Sequence, residues 1–583
     1  MWKLRNALDE TAVARLSAEA RIPLVTAQLL QSRGIRTAAE ADTFLNPALA
    51  QLHSPYEMLG MAAAVERACA AVERREKILI YGDYDVDGTL AIVILKTVIE
   101  LSGGVCEFHV PHRIHEGYGM KDDVIERAAA SGVRLVISVD TGIRAFTAAE
   151  TASRVGLDLI VTDHHLPQAE GVPKAMAVLN PNQAGCTYPC KDLCGAGVAF
   201  KLAQALLEKT GMTRLVPSFL KLVAIATVAD AVPLLGENRV FASLGLEGLR
   251  HPVNAGLKAL MEVAQINHGR ALTAGEVAFR LAPRMNAAGR MDVARDVIEL
   301  FSTHNAAQAR ELAVRLNSLN VERQQEEQRI LQEIETRITS EVSIRDAWCM
   351  VVDGDRWHKG VIGIAASRLV DRFCRPALVI TRDGPEAQGS ARSIPAFHML
   401  AALESCAGLF SRFGGHAYAA GFALPSERIG ALRAALDARA RACLQPEDLQ
   451  RVLYYDAEVS LAEITPAIFA EIQRLQPYGM GNPEPVFVAR HLRLTALPRV
   501  IKGKHMKLAV GERDTRIGTR SFQAMGWRMA ERLQLEPLSA QDEMDLAFKV
   551  VENSHPDFGG LELSICDFAK NSKQEATASS PEQ

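Results

Sequence analysis

Cysteine and long apolar runs are both scarce in this chain of 583 residues. Its 10 cysteines are too few for a small secreted protein held together by disulfides, and they indicate reduced thiols in a reducing compartment. The longest apolar stretch, residues 222–235, is interrupted by Asp230 and is shorter than the about 18 to 20 apolar residues that a membrane span needs. The N-terminal residues MWKLRN lack the apolar core of a secretory signal. We therefore expect no membrane association and a cytoplasmic location.

The chain also lacks a large net charge. Its 65 Lys and Arg residues nearly balance 69 Asp and Glu residues, which leaves a formal charge of −4. No chain-wide positive field exists, so any surface for nucleic acid must be local. The hydrophobic fraction of 48% and the charged fraction of 23% are typical of folded proteins and exclude a mainly disordered or fibrous chain. At about 150 residues a domain, the length predicts about four domains.

An alternation of strands and helices is predicted between residues 77 and 161. The predicted strands are residues 77–81, 106–110, 135–139 and 158–161, and the predicted helices are residues 90–101, 122–130 and 145–155. Strands that alternate with helices of this length form parallel sheets with right-handed crossovers. The pattern predicts an α/β fold, in which ligands bind beyond the carboxyl ends of the strands.

Acidic residues and histidines follow three of these strands and one apolar helix. The members are Asp83, Asp85, Asp87, Asp140, Asp163, His164, His165 and Asp230. A single carboxylate after a strand is usually a helix cap or a solvated loop residue. Several carboxylates in one crevice repel one another unless cations compensate, and oxygen ligands with one or two imidazoles suit Mn²⁺ or Mg²⁺. Two such ions catalyse in-line displacement at phosphorus, so the set predicts hydrolysis of phosphoesters.

Residues 85–90 (DVDGTL) also match the DxDGT signature of haloacid-dehalogenase-type phosphatases. In that alternative Asp85 is a covalent nucleophile. The family needs a lysine and a second acidic pair at a later strand end, and it gives no role to residues 163–165.

Cys186, Cys190 and Cys194 recur at four-residue intervals, which could indicate a zinc knuckle. A zinc site needs a fourth ligand at matching spacing, and the nearby sequence offers none. We therefore interpret the three cysteines as buried structural thiols.

Four segments in order along the chain resemble the motifs of the DHH phosphoesterase superfamily. They are residues 81–88 (YGDYDVDG), 138–142 (SVDTG), 162–165 (TDHH) and 226–230 (ATVAD). Residues 413–417 (FGGHA) resemble the Gly-Gly-His signature of the associated DHHA1 domain. Together with residues 477–483 (PYGMGNP) and the basic segment after them, the combination resembles the single-strand-specific 5′-to-3′ DNA exonucleases of this superfamily over residues 45–570.

The resemblance implies a role for each residue of the acidic set. Asp85 and Asp140 would hold one metal ion, and Asp87, His164 and Asp230 would complete the second, with Asp140 bridging. Many members of the superfamily have histidine at the position of Tyr81, and we infer that Asp83 takes its place as a ligand. His165 would contact the scissile phosphate, and Asp163 would orient its neighbours.

The resemblance also implies a set of substrate residues in the two lobes. The set is Arg113, Tyr118, Arg284, Asn286, Arg290, Ser390, Arg392, Gly415 and His416. Ser390 and Arg392 are two residues apart, so on a strand they point the same way and suit a terminal phosphate. Taken without the resemblance, each of these arginines is as often a plain surface residue.

A long helix is predicted between two lobes, because residues 290–353 contain neither glycine nor proline and their apolar residues recur at helical spacing. The resulting domains are residues 1–50 (N-terminal helical segment), 51–235 (DHH catalytic domain), 236–345 (helical region with the long helix), 346–445 (DHHA1 domain), 446–570 (OB-type domain) and 571–583 (disordered tail).

The charge that a nucleic acid would need is concentrated in residues 490–532. This segment has 11 Lys and Arg against 3 Asp and Glu, a local excess of +8. Charge runs are usually solvated faces, but here basic and apolar residues alternate, with Phe522 and Trp527 nearby. The pattern favours an OB-type barrel that binds single-stranded nucleic acid.

We therefore expect a metal-dependent exonuclease that degrades single-stranded DNA from its 5′ end to mononucleotides in repair and recombination. We also expect a monomer that works with a helicase and a single-strand-binding protein. Two alternatives stay open: a DHH phosphodiesterase acting on short oligoribonucleotides or cyclic dinucleotides, and an inactive DHH scaffold that only binds DNA or protein partners.

Overall fold

The computed structural model describes residues 1–7, 9–113, 116–117, 119–267, 269–291, 294–512, 521–539, 542–553 and 559–571. The chain divides into two compact units. A terminal unit combines Met1–Pro47 with Val452–Gln583, and a central unit spans Ala48–Arg451. Within the described residues, no helix has the length and apolar character needed to cross a membrane.

The N-terminal segment is part of the terminal unit. Its elements are β1 (Trp2–Leu4), α1 (Glu10–Ala20), α2 (Leu24–Gln31) and α3 (Ala38–Leu45). Strand β1 pairs in parallel with Leu453–Tyr455, and the indole of Trp2 donates to Asp567 at 2.7 Å. The guanidinium of Arg33 donates to Asn482 at 2.6 Å. These contacts join both ends of the chain in one unit.

The first lobe of the central unit is built on a five-stranded parallel sheet in the order β3-β2-β4-β5-β6. Its strands are β2 (Lys77–Gly82), β3 (Val105–His109), β4 (Val133–Val139), β5 (Asp158–Thr162) and β6 (Ala177–Leu179), and its helices are α4 (Met61–Glu73), α5 (Val86–Leu101), α6 (Asp122–Ala130), α7 (Phe146–Arg154), α8 (Gly195–Lys209), α9 (Val216–Ala229) and α10 (Gly236–Gly248). The central strands are buried on both faces and therefore read as continuous apolar runs. The predicted parallel sheet is confirmed.

A helical region follows. Its elements are α11 (Ala255–Val263), α12 (Ala274–Glu276), a π-helical turn (Val277–Leu281), α13 (Ala282–Met291), α14 (Arg295–Ser302), α15 (Ala306–Ser340) and α16 (Val342–Arg345). Helix α15 is the predicted long helix, with 35 residues. Asn305 caps its N-terminus, and the Asn305 side chain accepts from two backbone N–H groups of the first turn. Leu316 packs in the core of the first lobe, whereas Ile330 and Ile334 pack in a core of the second lobe. One helix therefore belongs to both lobes.

The second lobe contains a mixed sheet in the order β10-β11-β9-β8-β7. Its elements are β7 (Met350–Asp355), α17 (Ile362–Phe373), β8 (Ala377–Arg382), β9 (Glu386–Arg392), α18 (Met399–Glu404), β10 (Arg412–Gly415), β11 (Ala419–Pro425) and α19 (Ile429–Cys443). Strands β7 and β8 are parallel, and the pairs formed by β8, β9, β11 and β10 are antiparallel.

The C-terminal part of the terminal unit is a closed barrel. Its elements are β12 (Leu453–Tyr455), β13 (Ala457–Glu458), α20 (Pro466–Gln473), β14 (Phe487–Ile501), β15 (His505–Gly511), β16 (Ser521–Gly526), α21 (Ala530–Leu535), β17 (Glu543–Asn553) and β18 (Gly560–Lys570). The order β14-β15-β16-β18-β17 closes because β17 also pairs with β14. The predicted OB-type barrel is confirmed. Of the predicted disordered tail, residues 571–583, all but Asn571 lie outside the described residues.

Candidate metal centre and nucleic-acid contacts

The predicted acidic set converges at the carboxyl edge of the parallel sheet. The potential ligand atoms form three groups, and within each group all atoms lie within 4.8 Å of one another. The groups are Asp83 with Asp85 and Asp140, Asp87 with His164 and Asp230, and Asp140 with His164 and His165. The Nε2 atom of His164 lies 3.3 Å from Oδ1 of Asp140, 3.9 Å from Asp230 and 4.0 Å from Asp87. Seven of the eight predicted residues are therefore brought to one place, with Asp140 and His164 common to more than one group. The eighth, Asp163, contacts His165.

Close approach between helix N-termini and the loops that carry the carboxylates helps to position them. A Cβ atom on Gly88 would lie 2.6 Å from the carbonyl oxygen of Asp83, and one on Gly195 would lie 2.4 Å from Oδ1 of Asp140. Both positions therefore require glycine. Asp140 itself has a φ of 57°, a left-handed conformation that is strained for a residue with a side chain. Strain of this kind is retained where the surrounding structure fixes a functional side chain.

Two carboxylates are also fixed at helix N-termini. Asp85 caps α5 by accepting from the N–H of Gly88 at 3.0 Å. Asp87 accepts from the N–H groups of Gly195 and Ala196, at 2.6 and 2.8 Å, where α8 begins. The positive end of a helix dipole favours a carboxylate at each of these positions.

The electrostatics of the cluster favour a cation. Burial, followed by the charge of Asp85, raises the pKa of Asp83 to about 8, and burial with the charges of Asp87 and Asp85 raises the pKa of Asp230 to about 9. Burial and neighbouring aspartates also raise the pKa of Asp140. Oδ1 atoms of Asp83 and Asp140 are buried without a hydrogen-bond partner. Crowded carboxylates with unsatisfied oxygens fit hard divalent ions, and burial lowers the pKa of His164, which favours the neutral ring that binds a metal.

Tyr81 does not face this cluster. Its side chain is fully buried, and its hydroxyl donates to the carbonyl oxygen of Gly119 at 3.2 Å. Asp83, the second residue after Tyr81, belongs to the group that includes Asp85 and Asp140.

His165 is held by the carboxylate of Asp163. Oδ1 of Asp163 lies 2.7 Å from Nδ1 of His165, and Oδ2 accepts from the N–H of Ile143 at 2.9 Å. Burial by itself lowers the pKa of His165, but the hydrogen bond and charge of Asp163 outweigh it and raise the pKa. His165 therefore keeps a proton at higher pH than an ordinary histidine.

A cavity of about 410 Å³ opens beside His165. Its lining includes Asp163, His165, His416 and Arg144, so the second lobe contributes to it through His416. Gly415, the residue before His416, has no room for a side chain, since a Cβ atom would lie 2.3 Å from the carbonyl oxygen of Ala419. Arg144 was not predicted, although a basic residue after the SVDTG motif was a signal in the sequence.

Three predicted arginines gather next to the carboxylates. Arg113 packs over the ring of Tyr84 at 4.9 Å, and Arg392 donates to the hydroxyl of Ser390 at 3.2 Å. Burial, with the charges of Arg113, Arg323 and Arg392, lowers the pKa of Arg290 to about 10. Arg323, on α15, was not predicted, because a basic residue on a highly charged helix carries no signal of its own. A buried cation surrounded by other cations, as Arg290 is, favours an anionic ligand.

The remaining predicted substrate residues are placed differently. Asn286 accepts from the N–H of Val86 at 3.1 Å, so it contacts the loop that holds Asp85 and Asp87. Arg284 turns away from the other arginines and donates to Asn317 at 3.0 Å. Tyr118 lies outside the described residues.

The positive charge of residues 490–532 is less uniform than the sequence suggests. Ion pairs with acidic residues of other strands hold Arg490, Arg493 and Arg532. Arg499, Lys502, Lys504 and Arg528 have no ion pair within the described residues. A cleft is lined by Lys504, His505 and Arg528 together with Glu531, and the 61%-exposed Trp527 contacts the ring of His505 at a centroid distance of 5.0 Å. Phe522 is half-buried. Arg513, Arg516 and Arg520 lie outside the described residues.

Cys186, Cys190 and Cys194, the three cysteines at four-residue spacing, lie in the segment between β6 and α8. Cys186 and Cys194 are buried, and Cys194 precedes the first residue of α8, next to Asp87. The metal-binding groups found among the described residues consist of carboxylates and imidazoles.

Comparison with known proteins matches three family models. The DHH family N-terminal domain matches residues 77–227, the DHHA1 domain matches residues 346–442, and the RecJ OB domain matches residues 455–567.

Proteins named single-stranded-DNA-specific exonuclease RecJ are similar over most of the chain. The Bacillus subtilis protein is 39% identical over 89% of this chain, and the match covers 65% of its own length. The Escherichia coli protein is 34% identical, with 87% of this chain and 89% of its own length covered. Crystal structures of RecJ from Thermus thermophilus with Mn²⁺ and with Mg²⁺ match 98% of this chain at 27% identity, with TM-scores of 0.82 and 0.77, and 80% and 78% of those chains are covered.

Proposed function

Since the chain belongs to the RecJ family of single-stranded-DNA-specific exonucleases, we propose that it hydrolyses single-stranded DNA from the 5′ end to mononucleotides in DNA repair and recombination. The observation that carries the proposal is the pairing of a buried carboxylate cluster with a group of mutually repelling arginines. The first suits divalent cations, and the second suits the terminal phosphate of a strand. Neither the dehalogenase-type nor the scaffold alternative needs both.

Two groups of residues would hold Mn²⁺ or Mg²⁺. We assign Asp83, Asp85 and Asp140 to one ion and Asp87, His164 and Asp230 to the other, with Asp140 shared. When bound, two such ions activate a water and stabilise the charge that develops at phosphorus. The unsatisfied oxygens of Asp83 and Asp140 support this assignment.

The chain's own side chains would bind and orient the strand. Arg113, Ser390 and Arg392 would hold the 5′-phosphate, and Arg290 would add positive charge beside it. Protonated His165, fixed by Asp163, would donate from Nε2 to the scissile phosphate. A bond from the water oxygen to phosphorus forms and the bond from phosphorus to the 3′-oxygen of the terminal nucleotide breaks, so that a mononucleotide leaves and the shortened strand has a new 5′-phosphate.

The barrel would bind a further part of the strand. Trp527 offers an exposed ring for stacking, and Lys504 and Arg528 lie beside it. A surface of this kind binds single-stranded DNA with little sequence preference and a steep salt dependence. A dinucleotide would not need it, which favours the exonuclease over the dinucleotide phosphodiesterase.

We further propose a monomer in the bacterial cytoplasm that works with a helicase and a single-strand-binding protein. An enzyme limited to single strands needs another protein to separate a duplex. The low cysteine content is consistent with a reducing compartment.

The experiment that tests the metal assignment is Asp140→Asn, with Asp122→Asn as a matched control on an exposed carboxylate of the same lobe. We expect the Asp140 variant to lose Mn²⁺ binding in calorimetry and to lose digestion of a 5′-labelled oligonucleotide, while the control keeps both. Retained digestion by Asp140→Asn would overturn the assignment.

A further inference from the structure

The loop after β5, which contains His164 and His165, is held from both sides. In the sheet, β5 lies between β4 and β6. Side chains that follow each of these two neighbours reach the loop: Arg144 comes after β4, and Asn180 and Asn182 come directly after β6.

These three side chains donate to three successive carbonyl oxygens. Asn182 donates to His164 at 3.1 Å, and Asn180 donates to His165 at 2.9 Å. Arg144 donates twice to the carbonyl oxygen of Leu166, at 3.0 and 2.9 Å. Side chains therefore fix the backbone of His164, His165 and Leu166, three consecutive residues that form no strand pairing.

The amide of Asn180 is oriented by a further contact. Its Oδ1 atom accepts from the N–H of Asn182 at 2.7 Å, and the residue is fully buried. Because Oδ1 of Asn180 accepts this hydrogen bond, the NH₂ group of the same amide faces the carbonyl oxygen of His165. An aspartate at either asparagine position keeps the shape but removes the donor.

The ring of His164 depends on this backbone support. Its Nε2 atom faces Asp140, Asp230 and Asp87. A metal-binding histidine usually has its other ring nitrogen fixed by a hydrogen bond. In the part of the chain that the structure describes, Nδ1 of His164 has no such partner, and the ring packs against His165 at a centroid distance of 4.4 Å.

We propose that Asn180, Asn182 and Arg144 are positioning residues that hold the two histidines of the metal centre through their backbone carbonyls. The proposal rests on the proposed function of the same centre. It assigns roles to three residues that act through His164 and His165.

Asn182→Asp tests the proposal in the full-length protein. The variant loses the amide donor that bonds the carbonyl oxygens of His164 and Lys191, both at 3.1 Å. The added negative charge would by itself tighten the binding of a cation, so weaker binding would report lost positioning and not lost charge. Lys191→Met is the matched control, since Lys191 donates to the carbonyl oxygens of Pro181 and Cys186 in the same loop without touching the histidines. Mn²⁺ titration of metal-stripped protein by calorimetry is the first readout, and kcat and KM on a single-stranded oligonucleotide are the second.

For Asn182→Asp we expect Mn²⁺ binding weakened by about 10- to 100-fold and kcat lowered by a similar factor, with KM within about twofold of wild type. Lys191→Met should match wild type in both readouts. Asn182→Ala, which removes the donor without adding charge, should weaken Mn²⁺ binding in the same direction, and it replaces Asn182→Asp if that variant does not fold.

Wild-type Mn²⁺ affinity and kcat in both Asn182 variants would overturn the positioning role and leave the proposed function standing. Equal losses in the variants and in Lys191→Met would overturn it as well, because they would report loop stability alone. A wild-type protein that neither binds Mn²⁺ nor degrades the oligonucleotide would overturn the proposed function, and this proposal with it.

Discussion

In the proposed function, single arginine side chains next to the carboxylate cluster recognise the 5′ end of a strand. Arg392 lies on β9 and donates to Ser390, and its pKa is lowered by burial and by Arg113. Neither arginine forms an ion pair with a carboxylate among the described residues. Their positive charge is available to a phosphate, and a charged hydrogen bond of this kind contributes about 1.5–3 kcal/mol.

Arg392→Gln should therefore reduce the preference for a 5′-phosphorylated over a 5′-hydroxyl oligonucleotide by about 10- to 100-fold. The measurement is the ratio of kcat/KM for the two substrates. Arg284→Gln is the comparison, because Arg284 donates to Asn317 and should leave the ratio unchanged. An unchanged ratio in Arg392→Gln would place the phosphate elsewhere.

The carboxylates of the metal centre make the metal-free protein sensitive to pH. The folded-state pKa of Asp83 is about 8 and that of Asp230 about 9, both above the ordinary value near 4. A raised carboxyl pKa means that the folded state keeps protons that the unfolded state has lost. These groups therefore stabilise the fold at low pH, and that contribution is lost as the pH rises toward 9.

We expect the thermal midpoint of the EDTA-treated protein to fall between about pH 6 and about pH 9, and Mn²⁺ to raise the midpoint more at the upper end. Differential scanning calorimetry with and without Mn²⁺ measures both effects. Asp83→Asn should flatten the dependence of the metal-free protein. A midpoint that is independent of pH in this range would contradict the electrostatics of the cluster.

Between elements, a buried ion pair ties two helices and the start of the central unit together. Lys201 on α8 lies 2.9 Å from Glu237 on α10, and both side chains are fully buried. Lys201 also donates to the carbonyl oxygen of His53, and Tyr188 donates to Glu237 at 2.5 Å. Burial lowers the pKa of Lys201, so its charge depends on the partner.

Glu237→Gln should cost about 3–5 kcal/mol, because it leaves Lys201 as an unpaired buried charge. The double variant Lys201→Met with Glu237→Gln should be less destabilised than the single variant. Urea unfolding followed by circular dichroism compares the two. A loss below about 1 kcal/mol in the single variant would mean that water or another group compensates the lysine.

The elements and most of the site could be predicted because their signals are local. Asp85, Asp140 and His164 each follow an apolar strand, and the rule that ligands bind at the carboxyl edge of a parallel sheet brings them together. Asn180 and Asn182 gave no such signal, since their role depends on which strand lies next to β5. Strand order is a long-range property that the sequence does not state.

In the whole molecule, ion pairs reduce the positive charge that residues 490–532 can offer to a nucleic acid. Glu543 on β17 neutralises Arg493 on β14, a pairing that closure of the barrel creates, and Asp567 on β18 pairs with Arg532 on α21. Strand β1 is likewise held by a distant segment, because it pairs in parallel with Leu453–Tyr455. Neither contact is visible in the local sequence, which predicted the N-terminal segment and the barrel as separate domains.

Arg499, Lys502, Lys504 and Arg528 have no ion pair among the described residues. Together with Trp527, these cations should therefore determine the binding of long strands. Trp527→Ala should weaken binding of a long single-stranded oligonucleotide by about 5- to 150-fold, as expected for the loss of one stacked base. Leu535→Ala, at an 80%-exposed apolar residue of the same unit, is the control and should bind as wild type. Fluorescence anisotropy measures both, and equal affinity for the two variants would remove Trp527 from the binding surface.

The proposed activity of this chain is the degradation of single-stranded DNA from its 5′ end. The direct measurement is digestion of three single-stranded oligonucleotides with Mn²⁺: one with both ends free, one blocked at the 5′ end and one blocked at the 3′ end. We predict release of mononucleotides from the first and the third and no release from the second. Degradation of the 5′-blocked strand, or protection of the strand blocked at its 3′ end, would contradict the claim.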